Sequence, residues 1–277
     1  MGVRTAVCLA CVAATTASAA TGPRDAVTFL ERRQTASGGF AERGESANAE
    51  LTAWAVLGLA AAGAPPRSAR AYLVAHEDEL RSATDLERAI LAESVVGQDA
   101  GDLVLRLRRF QRPSGAIGST LNSTIWGVLA LLQARRPAPP ASVRYLLAHQ
   151  ARSGGWSWAV GGAPDSNDTA AAVEALRGAR AGGAPIARAL RYLARRQRRD
   201  GGFALVAGNA SDAQSTAWAI QAFVAAGRPP PPRALAFLRR LQQRDGSFRY
   251  SVRYATTPAF VTAQVLPALA RKPFPLR

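Results

Sequence analysis

The chain has 277 residues, 48% of them hydrophobic, and a formal net charge of +16. That apolar content supports a sizeable core and excludes a disordered chain. The charge is almost all arginine, since Lys272 is the only lysine. An arginine bias accompanied by so much alanine reads as the mark of a GC-rich genome, not of a nucleic-acid site.

The chain opens with a targeting segment. Arg4 supplies a thin positive region, Ala6 to Ala14 an apolar one, and Ala17-Ser18-Ala19 a cleavage site, so residues 1–19 are predicted to be a signal peptide. Both cysteines, Cys8 and Cys11, fall inside it. A lipoprotein reading through Cys11 is the weaker one, because Cys8-Leu9-Ala10 makes a poor lipobox. No later apolar run reaches the ~18–20 residues of a membrane span. A secreted, extracytoplasmic protein with one domain over residues 20–277 is expected.

The rest is built from repeats. Gln34, Gln111, Gln150, Gln197 and Gln242 each stand six residues before a turn hydrophobe: Phe40, Ile117, Trp156, Phe203 and Phe248. A glycine fills each turn, as at Gly38, Gly115, Gly154, Gly201 and Gly246. A threonine follows each turn, at Thr52, Thr124, Thr169, Thr216 and Thr262, with apolar residues four and seven places later. The last four threonines recur at about 46 residues. The longer gap from Thr52 to Thr124 leaves room for a degenerate unit from Arg70 to about Gly97.

Each unit reads as a helical hairpin. Its first helix, as in RALRYLARRQ, is basic on one face and apolar on the other, the pattern of an outer helix. Its second, as in STAWAIQAFVAA, is almost uncharged and belongs inside. Proline-rich linkers such as Arg228-Pro-Pro-Pro-Pro232 stop the inner helices. About six such hairpins predict an all-α (α/α)6 barrel.

The Q-x-x-x-G-G-[FW] turns resemble the QW motifs of the squalene cyclase and protein prenyltransferase repeat superfamily, whose fold is an (α/α)6 toroid. The resemblance implies that Gln34/Phe40, Gln150/Trp156, Gln197/Phe203 and Gln242/Phe248 clamp outer helices together. It also implies a weaker clamp at Ile117, where the aromatic is missing. These residues are expected to be structural.

Functional groups are expected where inner helices begin, since their unpaired N–H groups and positive dipole ends converge on one rim. Two residues before each threonine stand Glu50, Asn122, Asn167, Gln214 and Phe260; two residues after three of them stand Trp54, Trp126 and Trp218. Glu50, Asn122, Asn167, Gln214 and the three tryptophans are the candidate ligand-binding rim. Asp165 and Asp212 read as helix N-caps.

Asp165-Ser166-Asn167-Asp168-Thr169 also resembles the D-x-D-D-T motif of class II terpene cyclases, in which the middle aspartate protonates an alkene. Here that position is Asn167, and an amide has no acidic proton to give. No catalytic residue is therefore assigned; a cyclase would have to use Asp165, Asn167 and Asp168. A two-carboxylate glycosidase using Glu50 with Asp165 or Asp168 is a lesser alternative. His76 and His149 cannot supply the zinc ligands of a prenyltransferase, so neither metal nor cofactor is expected.

Secreted transcobalamin-type toroids resemble this chain in their helical pairing and bind a corrinoid without catalysis. The expectation is thus a protein that binds an apolar or amphipathic small ligand, terpenoid or corrinoid, in a central cavity. A membrane transporter or an anionic cell-wall polymer is the expected macromolecular partner.

Overall fold

The structure is a computed structural model that describes residues 22–276. The signal peptide read at residues 1–19 lies outside the described residues.

Twelve α-helices are arranged as six hairpins among the described residues. Six form an outer ring: α1 (Pro23–Glu31), α3 (Arg70–Ala75), α5 (Gly101–Arg108), α7 (Pro140–Ala148), α9 (Gly183–Ala194) and α11 (Pro232–Leu241). Six form an inner ring: α2 (Ala49–Ala61), α4 (Ala83–Val95), α6 (Leu121–Gln133), α8 (Ser166–Gly178), α10 (Ala213–Ala225) and α12 (Pro258–Ala270). Each inner helix packs on the next, and α12 returns to α2, so the inner ring closes. The degenerate unit after Arg70 is the hairpin of α3 and α4.

Helix placement follows from side-chain distribution. The outer helices bury one stripe each, as α9 does with Ile186, Ala189, Tyr192 and Leu193. The inner helices are buried almost all round. Both patterns match the burial their composition asks for.

The glutamine turns tie hairpin to hairpin. Gln34, Gln111, Gln197 and Gln242 each pair with their turn hydrophobe through an isolated antiparallel bridge, whereas Trp156 pairs with Asp165. Gln34, Gln150, Gln197 and Gln242 also donate Nε2 to the carbonyl of the turn glycine. Gln150 reaches on to the Pro185 carbonyl of α9 at 2.8 Å. Gln242 reaches the Gly22 carbonyl ahead of α1 at 2.9 Å, closing the outer ring. Gly154 has φ +97°, and a Cβ there would stand 2.6 Å from the Arg188 carbonyl of α9. Only glycine fits that approach.

The repeating threonine has a physical task. Thr52, Thr124, Thr169, Thr216 and Thr262 each accept, at Oγ1, the backbone N–H of the turn hydrophobe at 2.9–3.0 Å. These N–H groups are buried, and leaving one unpaired would cost about 1–3 kcal/mol. The turn is thus fastened to the inner helix that follows it. Trp156 is completely buried, and its Nε1 donates to the Leu146 carbonyl at 2.8 Å.

Candidate functional site

The inner helices all begin at the end of the barrel that carries the turns. Asn48, Thr120, Asp165 and Asp212 cap four of them, each accepting the N–H three residues on at 2.7–3.0 Å. Asp165 and Asp212 are therefore N-caps by geometry.

Of the candidate rim residues, Asn122 and Asp168 meet: the Asn122 amide donates to Asp168 Oδ1 at 2.5 Å, from α6 to α8. Asp168 is buried. Burial first, and then the neighbouring Asp165 carboxyl, push its pKa up to about 8, while the Asn122 bond pulls it down. Burial likewise pushes Asp212 up to about 6, against the bonds it accepts from Ser215. Asn167 is half-buried, and its Oδ1 has no hydrogen-bond partner. Glu50 is exposed and ion-paired with Arg88 of α4, which also holds Asp85 at 3.2 Å. Gln214 is half-buried at the start of α10.

The three tryptophans converge on the barrel axis. Trp54, Trp126 and Trp218 pack edge to face on one another, with ring centroids 5.3–6.0 Å apart. Phe260 joins the cluster against Trp54. Contacts of this geometry are favourable beyond the area they bury. The axis is therefore filled by aromatic rings at the level where a central cavity was expected. The reason is size: small inner residues such as Ala171 leave room there, and three indoles take it up.

The chain after α12 fills the axis from the opposite end. Phe274 is buried against Trp126 and Trp218. Its N–H donates to Glu174 Oε2 at 2.5 Å. Leu276 exchanges two hydrogen bonds with the Gln133 side chain, at 2.6 and 3.1 Å. Glu174 is fully buried, which raises its pKa well above the usual carboxylate range, although the Phe274 bond opposes this. A neutral carboxylic acid is the form that such a site tolerates. Sequence reasoning passed over this tail because it repeats nothing; its one signal was the apolar Phe274-Pro-Leu276 after the last inner helix.

A wide open volume lies beside that tail. A funnel of about 1300 Å³ is formed where α2, α4, α6 and α8 end and α7 begins. Leu132, Val95, Val143, Ala138 and Leu276 give it an apolar floor. Arg135, Arg136, Arg144 and Arg180 stand around it, all exposed. Among the described residues the ion pairs involve Arg88 alone, so these four guanidinium groups have no carboxylate partner. The arrangement can take an apolar body and an anionic head. None of the rim candidates read from the sequence lines it.

Comparison with known proteins gives the fold its relatives. A crystal structure of a protein from Actinoplanes superposes with a TM-score of 0.70 at 20% identity, covering 90% of this chain and 98% of that one. The type II terpene cyclase MstE from Scytonema, in complex with geranylgeranyl dihydroxybenzoate, gives 0.73 at 16% identity, covering 90% and 95%. A glycosidase variant in complex with glucose gives 0.66 at 15% identity, with the same coverage. No curated protein sequence matches. The family model of the prenyltransferase alpha-alpha toroid domain matches residues 1–91 and 187–258, more than half of the chain. With its closed double ring of hairpins, the chain belongs to the prenyltransferase alpha-alpha toroid family.

Proposed function

We propose that this is a secreted, non-catalytic toroid that binds an amphipathic small ligand, a terpenoid bearing an anionic head being the favoured class and a corrinoid the alternative. The observation that carries the reading is the funnel, with its apolar floor and four arginines free of carboxylate partners. MstE, the structural neighbour solved with geranylgeranyl dihydroxybenzoate, holds a ligand of the same chemical kind on the same fold. Secretion rests on the composition of residues 1–19.

Equilibrium binding tests this with three probes: geranylgeranyl diphosphate, geranylgeraniol and cobalamin. Saturable binding of the diphosphate is expected, weaker binding of the alcohol, and loss of at least ~10-fold in diphosphate affinity for Arg135→Glu with Arg180→Glu. Binding unaffected by that double substitution would move the site elsewhere. No binding of any probe would sink the proposal.

A second reading, a divergent class II cyclase, is favoured by the buried carboxyl of Asp168 beside an aromatic axis. A carboxyl held at about 8 is protonated at neutral pH but is a weaker acid than a free aspartate, whereas alkene protonation needs a stronger one. The binder is preferred for that reason. Incubation with squalene or a prenyl alcohol is expected to give no cyclised product. Product from the wild type that vanishes in Asp168→Asn would reverse the choice.

A further inference from the structure

The turn end of the barrel carries an apolar surface on one half of its circumference. Trp158, Val160, Leu205, Val252 and Tyr254 are large, apolar and 37–71% exposed. They account for five of the seven exposed large hydrophobic residues among the described residues; Val74 and Leu105 are the others. Patches of this kind mark interaction sites.

Their exposure is fixed by backbone geometry. They sit on three loops, residues 157–164, 204–211 and 249–257, each joining a turn to an inner helix. Each loop folds over the start of the preceding inner helix. The Trp158 carbonyl accepts the Asn122 N–H of α6 at 3.0 Å, the Leu205 carbonyl the Ser166 N–H of α8 at 2.9 Å, and the Tyr250 carbonyl the Ala213 N–H of α10 at 2.7 Å. Those helices are neighbours in the ring, so the three loops stand side by side. The hairpin of α1 and α2 uses the same register differently: there the Glu42 carboxylate accepts the N–H groups of Ala259 and Phe260, and no large apolar side chain is exposed.

The charge around the patch is one-sided. Arg152, Arg195, Arg198, Arg199, Arg244 and Arg253 are exposed on the same turns and loops, and none is in an ion pair. The exposed acids there, Asp200 and Asp245, are committed to their turns through the N–H groups of Gly202 and Ser247. Arg253 lies over the Tyr254 ring at 5.6 Å, so a cation and an aromatic are presented together.

We infer that this face docks on an anionic lipid surface, inserting the tips of the three loops among the headgroups while the arginines meet the phosphates. Tryptophan, tyrosine and aliphatic tips set in a positive surround suit a fluid, negatively charged interface. No helix among the described residues is long and apolar enough to cross a membrane, so the association is peripheral. It uses the end of the barrel opposite the funnel and does not depend on what the funnel binds.

Trp158 is a built-in reporter, because Trp54, Trp156 and Trp218 are buried and Trp126 is half-buried. The mature protein is mixed with phosphatidylcholine vesicles, plain or containing about one-third phosphatidylglycerol. Flotation with the anionic vesicles only is expected, with a blue shift of tryptophan emission and quenching by brominated acyl chains. Trp158→Ser should abolish the quenching, and Trp158→Ser with Val252→Ser should weaken partition at least ~10-fold at an unchanged melting temperature. Leu105→Ser, on the outer helix α5 and away from the patch, should leave partition unchanged. Absence of binding to anionic vesicles overturns the inference. So does binding that salt abolishes while Trp158→Ser with Val252→Ser leaves it intact, which would mark a face for soluble polyanions. Equal losses from Leu105→Ser would reveal unspecific adhesion. A concentration-dependent dimer that the double variant dissolves, with no lipid binding, would assign the face to a second copy.

Discussion

The two ends of this barrel are made from the same twelve helices and obey different rules. At the turn end the contacts recur in most hairpins: a glutamine closes its turn, a threonine takes the N–H of the turn hydrophobe, and a capping residue starts the inner helix. At the other end nothing recurs, and the open funnel, the four arginines and the inserted tail are each unique. A repeat protein must repeat the contacts that hold neighbours in register, but it needs its ligand site only once. Stability is therefore concentrated at the periodic end, and the proposed ligand site lies at the aperiodic one.

That division predicts where the molecule breaks. The largest effect is expected from pH at the turn end. Asp168 has a folded-state pKa of about 8 against an ordinary value of 3.8, so the folded form keeps a proton that the unfolded form loses. Its contribution is fully present below about pH 4 and is lost as pH rises through about 8, at most about 6 kcal/mol. Glu174, raised by burial on the axis, acts with the same sign. Urea melts should show lower stability at pH 8 than at pH 5, and Asp168→Asn should reduce that slope, the other buried acids keeping the rest. A wild type more stable at pH 8 would contradict the burial of these acids.

Next in size is the turn itself. Trp156→Ala should cost roughly 3–5 kcal/mol, since it empties a fully buried site and frees the Leu146 carbonyl. Ile117→Ala should cost less, because the same turn there is filled by a smaller side chain. Equal losses in urea melts would mean that the aromatic adds nothing to the clamp.

The aperiodic end should yield more easily. Phe274→Ala is expected to cost about 3 kcal/mol, the low part of the range for a buried aromatic, because the space it leaves adjoins the open funnel. A loss exceeding that of Trp156→Ala would make the tail, not the turns, the main fastening of the barrel.

The sequence made one end legible and not the other for a physical reason. Periodicity marks residues that meet equivalent partners, so Gln150, Trp156 and Thr169 could be read together, and the (α/α)6 ring followed. What periodicity cannot give is the content of the axis. Trp54, Trp126 and Trp218 occupy one register position in three hairpins, but whether they lined a space or filled it depended on Ala171, which holds that position in a fourth, and on Phe274, outside the pattern. Nor could spacing pair Asn122 with Asp168, which lie on adjacent helices. The funnel was invisible because Arg135, Arg136 and Arg180 belong to linkers, and Arg144 to the first turns of α7, whose nearness appears only when the chain is folded.

The smallest effects test whether a repeat position means the same thing in every hairpin. Gln150 donates to Gly154 and to Pro185 and accepts from Arg188, linking its own turn to α9. Gln150→Ala should therefore cost about 1–2 kcal/mol, the loss of hydrogen bonds at a half-buried site. Gln111 holds the equivalent place beside Ile117 but is exposed. Gln111→Ala should change stability by no more than about 0.5 kcal/mol, as expected for a surface substitution. Both variants can be compared by urea melting at one pH, so that the buried acids contribute equally. If Gln111→Ala costs as much as Gln150→Ala, the clamp lies in the backbone hydrogen bonds that the two turns share, and the side-chain links from turn to neighbouring helix are incidental. If only Gln150→Ala is costly, the outer ring is held by those links, and the hairpin that lacks an aromatic is its weakest segment.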